Sequence, residues 1–348
     1  MKKLLFVVLA VCLLCCAGVV MSHAAVDITE EIEDLNFRAA VYEEIGKVAP
    51  APIYDTDVEG IWDLDVRGMD IQSLAGLDRF TSLKSLYCNG NQLTTLPDLP
   101  QSLNLLFCGF NELTELPSLP LGLTRLDCDT NHLSSLPTLP STLRILSCEN
   151  NRLTELPELS HTVLVDFRCG IYPVDGNFPS YNQITVMPEL PLTLELLECY
   201  DNQLTSLPTL PPGLTMLFCA GNKLTALPDL PLGLKKLWCA ENQLSSLPAL
   251  HSSLTELACS QNRLTSIDVT GLGLELLWCQ YNNMPSKSAV IGFTGAWDGE
   301  YFVFDPQNST TQPPAPDKGI FGTNPKWSGA WWHYLLFFFC FGFIWMWF

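Results

Sequence analysis

One twenty-residue phrase is written ten times in the middle of this chain, starting at Leu83, Leu103, Leu123, Leu143, Leu164, Leu194, Leu214, Leu234, Leu254 and Leu274. Its frame is L-x-x-L-x-C-x-x-N-x-L-T-x-L-P-x-L-P-x-x. A fixed period of this length specifies a solenoid, because each unit buries its apolar side only against the next. A chain of 348 residues could hold two globular domains, but an array this long is one body with covered ends.

Positions one, four and six of the frame are apolar, and the alternation from four to six is that of a strand. Ten stacked strands give a parallel sheet about 45–50 Å long at the usual strand spacing. The Asn at position nine (Asn91, Asn111, Asn131, Asn151, Asn182, Asn202, Asn222, Asn242, Asn262, Asn282) is costly to bury unless bonded. Bonding to the backbone of neighbouring turns would make it a structural ladder. The L-P-x-L-P half cannot be helical, since each proline removes a donor and restricts the residue before it. The returning side is therefore expected to be extended, near polyproline II.

Fourteen cysteines suggest a disulfide framework until they are placed. Cys12, Cys15 and Cys16 lie near the N-terminus, Cys340 in the last segment, and the other ten all occupy position six. A single row of thiols offers a metal no tetrahedral closure. Cβ atoms on neighbouring strands, about 4.8 Å apart, lie slightly beyond the range of a relaxed disulfide. The row is expected to consist of free thiols acting as small hydrophobes.

The flanks read in order. Residues 1–24 have a secretory signal's pattern: Lys2 and Lys3, an apolar stretch, then Ser22-His23-Ala24 as the cleavage site. Residues 27–58 form an N-terminal helical cap, with Asn36 as N-cap, Phe37, Ala40, Val41 and Ile45 on one stripe, and Gly46 as the stop. Residues 59–284 are the array, opened by a degenerate repeat that places Leu64, Val66, Met69, Ile71 and Leu74 at buried positions. Between Cys169 and Asn182 the frame expects two residues and finds twelve, rich in turn formers, which reads as a loop leaving the solenoid. Residues 285–304 close the far end, and residues 305–326 are a Pro-rich linker spanning about 25 Å. Residues 327–348 carry a charge-free aromatic stretch, Ser328–Phe348, with Trp331, Trp332 and Tyr334 at one end and Trp345 and Trp347 at the other. Twenty-one residues of helix span about 31 Å, which fits a single transmembrane helix. Together these place the solenoid outside an exporting cell, held at its membrane.

The formal charge is −19, and no Lys/Arg cluster exists, so nucleic acid is excluded as a partner by repulsion. No phosphate loop, metal set or accessible nucleophile is spelled out, so neither a cofactor nor an enzymatic activity is expected.

The phrase LPxLPxxLxxLxxxxNxLTxLP resembles the leucine-rich repeats of secreted enterobacterial effectors, including those of the ubiquitin-ligase type. The Cys variant, as in Leu277-Trp278-Cys279, is similar to leucine-rich repeat surface proteins of gut bacteria. So is the entry, Asn36-Phe37-Arg38-Ala39-Ala40-Val41 leading to Ile71-Gln72-Ser73-Leu74. The resemblance implies a leucine-rich repeat solenoid with a concave parallel β-sheet used for binding. The ligase alternative needs a further catalytic domain. Cys199-Tyr200-Asp201 has a suitable spelling, but the frame puts Cys199 in the core.

Positions three and five should face outward on the sheet, where frequent aromatics serve as contact anchors. Three groups stand out: Leu105, Phe107 and Phe110; Met216, Phe218 and Trp238; Leu276, Trp278 and Tyr281. Between them lie Arg125, Asp127 and Asp129, then Glu195, Glu198 and Asp201. Alternating charge and aromatic groups suit a protein ligand; a glycan, or a purely structural adhesin or spacer role, is the alternative.

Overall fold

The computed structural model describes residues 24–170 and 182–308. The expected signal segment, the insertion after Cys169 and the membrane anchor lie outside the described residues. Among the described residues no helix is long and apolar enough to cross a membrane.

Each copy of the phrase forms one coil. A three- to five-residue strand starts it, from β1 (Asp63–Asp65), β2 (Ser85–Tyr87) and β3 (Leu105–Phe107) through β4 (Arg125–Asp127), β5 (Ile145–Ser147), β6 (Asp166–Gly170), β7 (Leu196–Cys199), β8 (Met216–Phe218), β9 (Lys236–Trp238) and β10 (Glu256–Ala258). After the two-residue β11 (Ile267–Asp268) come β12 (Leu276–Trp278), β13 (Val290–Ile291) and β14 (Phe302–Val303). Twelve of these form one parallel sheet in the order β1 to β10, β12, β14, while β11 pairs with β13. Register is fixed at position four, so Leu86, Leu106, Leu126, Leu146, Phe167, Leu197, Leu217, Leu237, Leu257 and Leu277 stack in one row. All ten are fully buried.

The L-P-x-L-P side contains no helix. Its prolines cannot donate, but the second one accepts: in six coils the amide of the new position-one Leu bonds the carbonyl of the proline three residues back, as in Leu103 to Pro100 and Leu143 to Pro140, both 3.0 Å, while at Leu254 the acceptor is His251. The turn that restarts those six coils is therefore built from the one polar group proline retains.

The asparagines form the expected ladder. In its middle, Asn151 Oδ1 accepts from the Leu133 amide at 3.0 Å, and Nδ2 donates to the carbonyls of Cys128, Cys148 and Glu149 at 3.0, 3.1 and 3.1 Å. Each Asn thus joins its own coil to the one before. The ladder crosses the insertion intact: Asn182 accepts from the Leu153 amide and donates to the carbonyls of Cys148 and Cys169. The interruption is absorbed in β6, where the register shifts between Arg168 and Gly170.

All ten array cysteines are buried and unbridged. Burial raises every one of these thiols, Cys88, Cys219 and Cys279 to about 12, so they are protonated and poorly nucleophilic at neutral pH. Three also donate to the next strand, as Cys128 does to the Ser147 carbonyl at 3.4 Å. Alkylation without reductant should leave these cysteines unlabelled in the native protein and label all ten after denaturation, read by peptide mass. Fewer labels after denaturation would reveal bridges.

At the entry, α1 (Leu35–Glu44) buries Phe37, Val41 and Tyr42 in the core shared with the first coils. Its N-cap is Asp34 rather than Asn36: one carboxylate oxygen accepts from the Asn36 and Phe37 amides at 2.9 Å each. The other oxygen accepts from the Gln72 and Ser73 amides, so Asp34 both starts the helix and fastens it to the first coil. Asn36 bonds the Asp70 carbonyl instead. A short α2 (Asp55–Val58) follows. Met69, expected in the core, is 37% exposed. It holds the Asn position of the degenerate coil, where Asn91 Oδ1 accepts from its amide and from that of Ile71.

The far end extends beyond the expected boundary at residue 304. Phe302–Val303 enters as another strand, β14, and Phe304 after it is buried at the Cys position. Three residues on, Gln307 takes the Asn position: Oε1 accepts from the Asn282 and Met284 amides, and Nε2 donates to the Cys279 and Phe304 carbonyls. The first residues of the presumed linker thus complete the ladder's last rung.

Candidate functional site: the outward face of the sheet

Strand side chains alternate, so positions three, five and seven point away from the core. Neighbouring strands crowd these rows, and most of their larger members are half-buried. Position eight follows at a tight corner with positive φ. Glycine fills it at Gly90 and Gly221, yet Phe110 (φ 54°), Thr130 (52°), Glu241 (53°) and Tyr281 (56°) hold the same left-handed conformation. For such residues it costs roughly 1–2 kcal/mol. Phe110 combines that strain with 50% exposure of an aromatic ring.

The aromatic residues gather at two places. Near the start, Tyr87 and Phe107 stack with centroids 4.8 Å apart, and the Arg125 guanidinium lies over Phe107 at 4.7 Å. Leu105 is half-buried on the same strand. Toward the end, Tyr200, Phe218 and Trp238 form a run, with Tyr200–Phe218 at 5.7 Å and Phe218–Trp238 at 5.2 Å. Ala220 and Ala240 join Tyr200 and Phe218 in one buried cluster, against which Met216 and Trp238 pack; Phe218, expected as an outward contact, is only 9% exposed and Tyr200 5%. The ring of Trp238 also reaches that of Trp278, two strands away, at 6.2 Å; the residue between them is Ala258. The second and third expected groups therefore merge. Trp278 keeps only 3% of its surface exposed, and its indole donates to the Glu300 carbonyl at 2.9 Å. It supports Trp238 more than it offers a surface. Leu276 is half-buried beside it, and Tyr281 sits at the strained corner.

Between the aromatic places the face is charged. Arg125 pairs with Asp127 at 2.8 Å and Arg168 with Asp166 at 2.9 Å, each along its own strand. Within the second aromatic place, Lys236 reaches Glu256 at 2.8 Å, which also accepts from the Trp238 indole at 3.2 Å. Glu195 is exposed at position two, outside this face. The remaining carboxylates sit deep among protein atoms, and burial pushes their acidity down. Asp129 rises to about 6, with Asp127 adding to the effect of burial. Glu149 rises to about 8 despite its bond from the Ser147 hydroxyl. Asp201 rises to about 7 through burial and the neighbouring Glu241, and burial raises Glu241 in turn. In Glu198 burial outweighs the attraction of Arg168. Two glycines make room for this row: a Cβ at Gly109 would stand 2.5 Å from Asp129 Oδ1, and one at Gly221 2.0 Å from Asp201 Oδ1.

Tyr200 and Glu149 are absent from the sequence-derived face. Both hold position seven, directly after the Cys, and the period-two alternation carried one step further would have found them. Among the described residues no three His, Cys, Asp or Glu side chains come together to hold a metal ion.

The chain matches no protein-family model and no curated protein. Among solved structures it is similar to the functional domain of InlJ from Listeria monocytogenes, which includes a cysteine ladder. The identity is 29% and the TM-score 0.65, over 75% of this chain and 58% of that one. The fold is a leucine-rich repeat solenoid. The leucine-rich repeat chain described here therefore spans less than two thirds of that Listeria domain. It is also similar to YopM from Yersinia enterocolitica, 25% identical over 62% of this chain and 73% of that one with a TM-score of 0.38, and to a Shigella effector leucine-rich repeat domain, 25% identical over 61% and 86% with a TM-score of 0.38. The cysteine column, buried at position six of ten successive coils, is the feature that the Listeria domain's description shares with this repeat array.

Proposed function

We propose that this leucine-rich repeat protein is an exported, membrane-held binding module that docks a protein on the outward, concave face of its sheet. The observation that carries this is the pair of half-buried aromatic places on that face, Tyr87 with Phe107 and, farther along, Trp238 backed by Phe218 and Tyr200, which are themselves buried, 9% and 5% exposed. Large rigid aromatics contribute contact area at low entropic cost and are the usual anchors of binding interfaces. The strained, exposed ring of Phe110 points the same way, because such strain persists where it serves a purpose. No enzymatic role is proposed: the array cysteines are buried and protonated. Residues 1–24 would direct export and residues 327–348 would hold the protein at the membrane. The charged centre favours a protein over a glycan.

Capture of surface proteins by the full chain, beside binding to a glycan array, tests this directly. Trp238→Ala and Phe107→Ala should each weaken capture of a protein partner about tenfold or more, at the level of an interface hot spot, with an unchanged circular-dichroism spectrum. Unchanged capture by both variants, or binding to glycans alone, would remove the reading. Truncation after residue 326 should move the protein from the membrane fraction to the soluble one.

A further inference from the structure

The charge on the central part of the face is not balanced. On β4 to β7 its two bases, Arg125 and Arg168, are each engaged bidentately by a carboxylate of the same strand. Among the described residues Asp129 and Glu149, on adjacent coils, have no bidentate base of this kind and accept from hydroxyl donors, Thr130 Oγ1 to Asp129 at 3.2 Å and Ser147 Oγ to Glu149. Glu198 and, more weakly, Glu149 share the charge of Arg168 with Asp166. A neutral partner closing over this region would strip water from carboxylates it cannot compensate. An anionic partner would add repulsion to that cost. A cation would remove it, and neighbouring coils about 4.8 Å apart place two carboxylates within reach of one guanidinium fork.

Aromatic side chains border this centre on both sides, half-buried Tyr87 with Phe107 toward the N-terminus and, more deeply set at the same face, Tyr200 with Phe218 toward the C-terminus. From β3 to β7 is four strand spacings, about 19 Å, which six extended residues cover.

We propose, resting on the docking role of this face, that its occupant is a basic protein segment, with an Arg or Lys seated over Asp129 and Glu149 and apolar side chains against the aromatic borders. The overall charge of −19 steers such a partner in.

Fluorescence anisotropy with the full chain in detergent micelles, at low salt and pH 8.5, where Asp129 and Glu149 are both ionised, tests this using three eight-residue peptides. Each has leucine pairs at both ends, glycine spacers, and a central pair of arginines, glutamines or glutamates. The arginine peptide should bind at least tenfold more tightly than the other two, and Asp129→Asn with Glu149→Gln should abolish that preference while leaving the circular-dichroism spectrum unchanged. Equal binding of the three peptides, no measurable binding of the arginine peptide, or a preference that survives both substitutions would overturn the proposal. A glutamine peptide that binds as well as the arginine one, and loses affinity with Trp238→Ala, would leave the docking face standing and remove only its charge preference.

Discussion

Replacing Asn151 with alanine should destabilise the solenoid by about 3–5 kcal/mol, among the largest effects of any single substitution outside a cavity-forming one. Asn151 is fully buried and makes four bonds to backbone groups of two coils. Truncation leaves the Leu133 amide and three carbonyls without this partner in the interior, and each unsatisfied buried group costs about 1–3 kcal/mol, partly relieved by other bonds. Asn151→Asp keeps the acceptor but loses the donor, and sets a carboxylate against carbonyl oxygens, so it should fare no better. Urea unfolding followed by circular dichroism reads the loss. A change below about 1 kcal/mol would mean that the ladder is decorative.

Stability should fall as pH rises from 5 to 8.5. The folded chain holds Glu149 up to about 8, Asp201 to about 7 and Asp129 to about 6, all above their ordinary values because burial penalises the charged form. Across that window the folded state binds protons that the unfolded state has released. The stabilisation is thus fully present below the unfolded values near 4 and is lost as pH climbs through the folded ones. The net change should be on the order of a few kcal/mol. Asp34 and Asp57, lowered by hydrogen bonds to the folded chain, act oppositely, and only below about pH 4. An optimum near pH 5 follows. Glu149→Gln should flatten the decline above pH 7, and stability that is level or rising over this range would contradict the electrostatics of the face.

The solenoid was legible because one period governs everything: Leu at positions one and four, Cys at six and Asn at nine each give a row when coils stack. The proline half was legible through what proline cannot do. The ends were harder. Asp34 and Asn36 are equally good N-caps by type, and only the contact with Gln72 and Ser73 selects Asp34. Gln307 hides in a segment of linker composition, although Phe302-x-Phe304-x-x-Gln307 repeats the L-x-C-x-x-N spacing with larger side chains. On the outward face, spacing gave the direction of each side chain but not its accessibility. Trp278 is covered by the segment at Glu300, twenty-two residues later in sequence. The row of buried acids depends on which neighbours are glycine, and the frame does not fix that.

Native-state hydrogen exchange at the amides that the Asn side chains hold is the most direct measurement of a stack that is continuous through the insertion. Leu133, Leu153 and Ile184 bond Asn151, Asn182 and Asn202 respectively, and Leu153 does so across the inserted residues. The three should exchange at similar slow rates, set by opening of the whole array. A Leu153 amide that exchanges at the rate of an open loop while Leu133 stays protected would split the solenoid in two, and the single docking face with it.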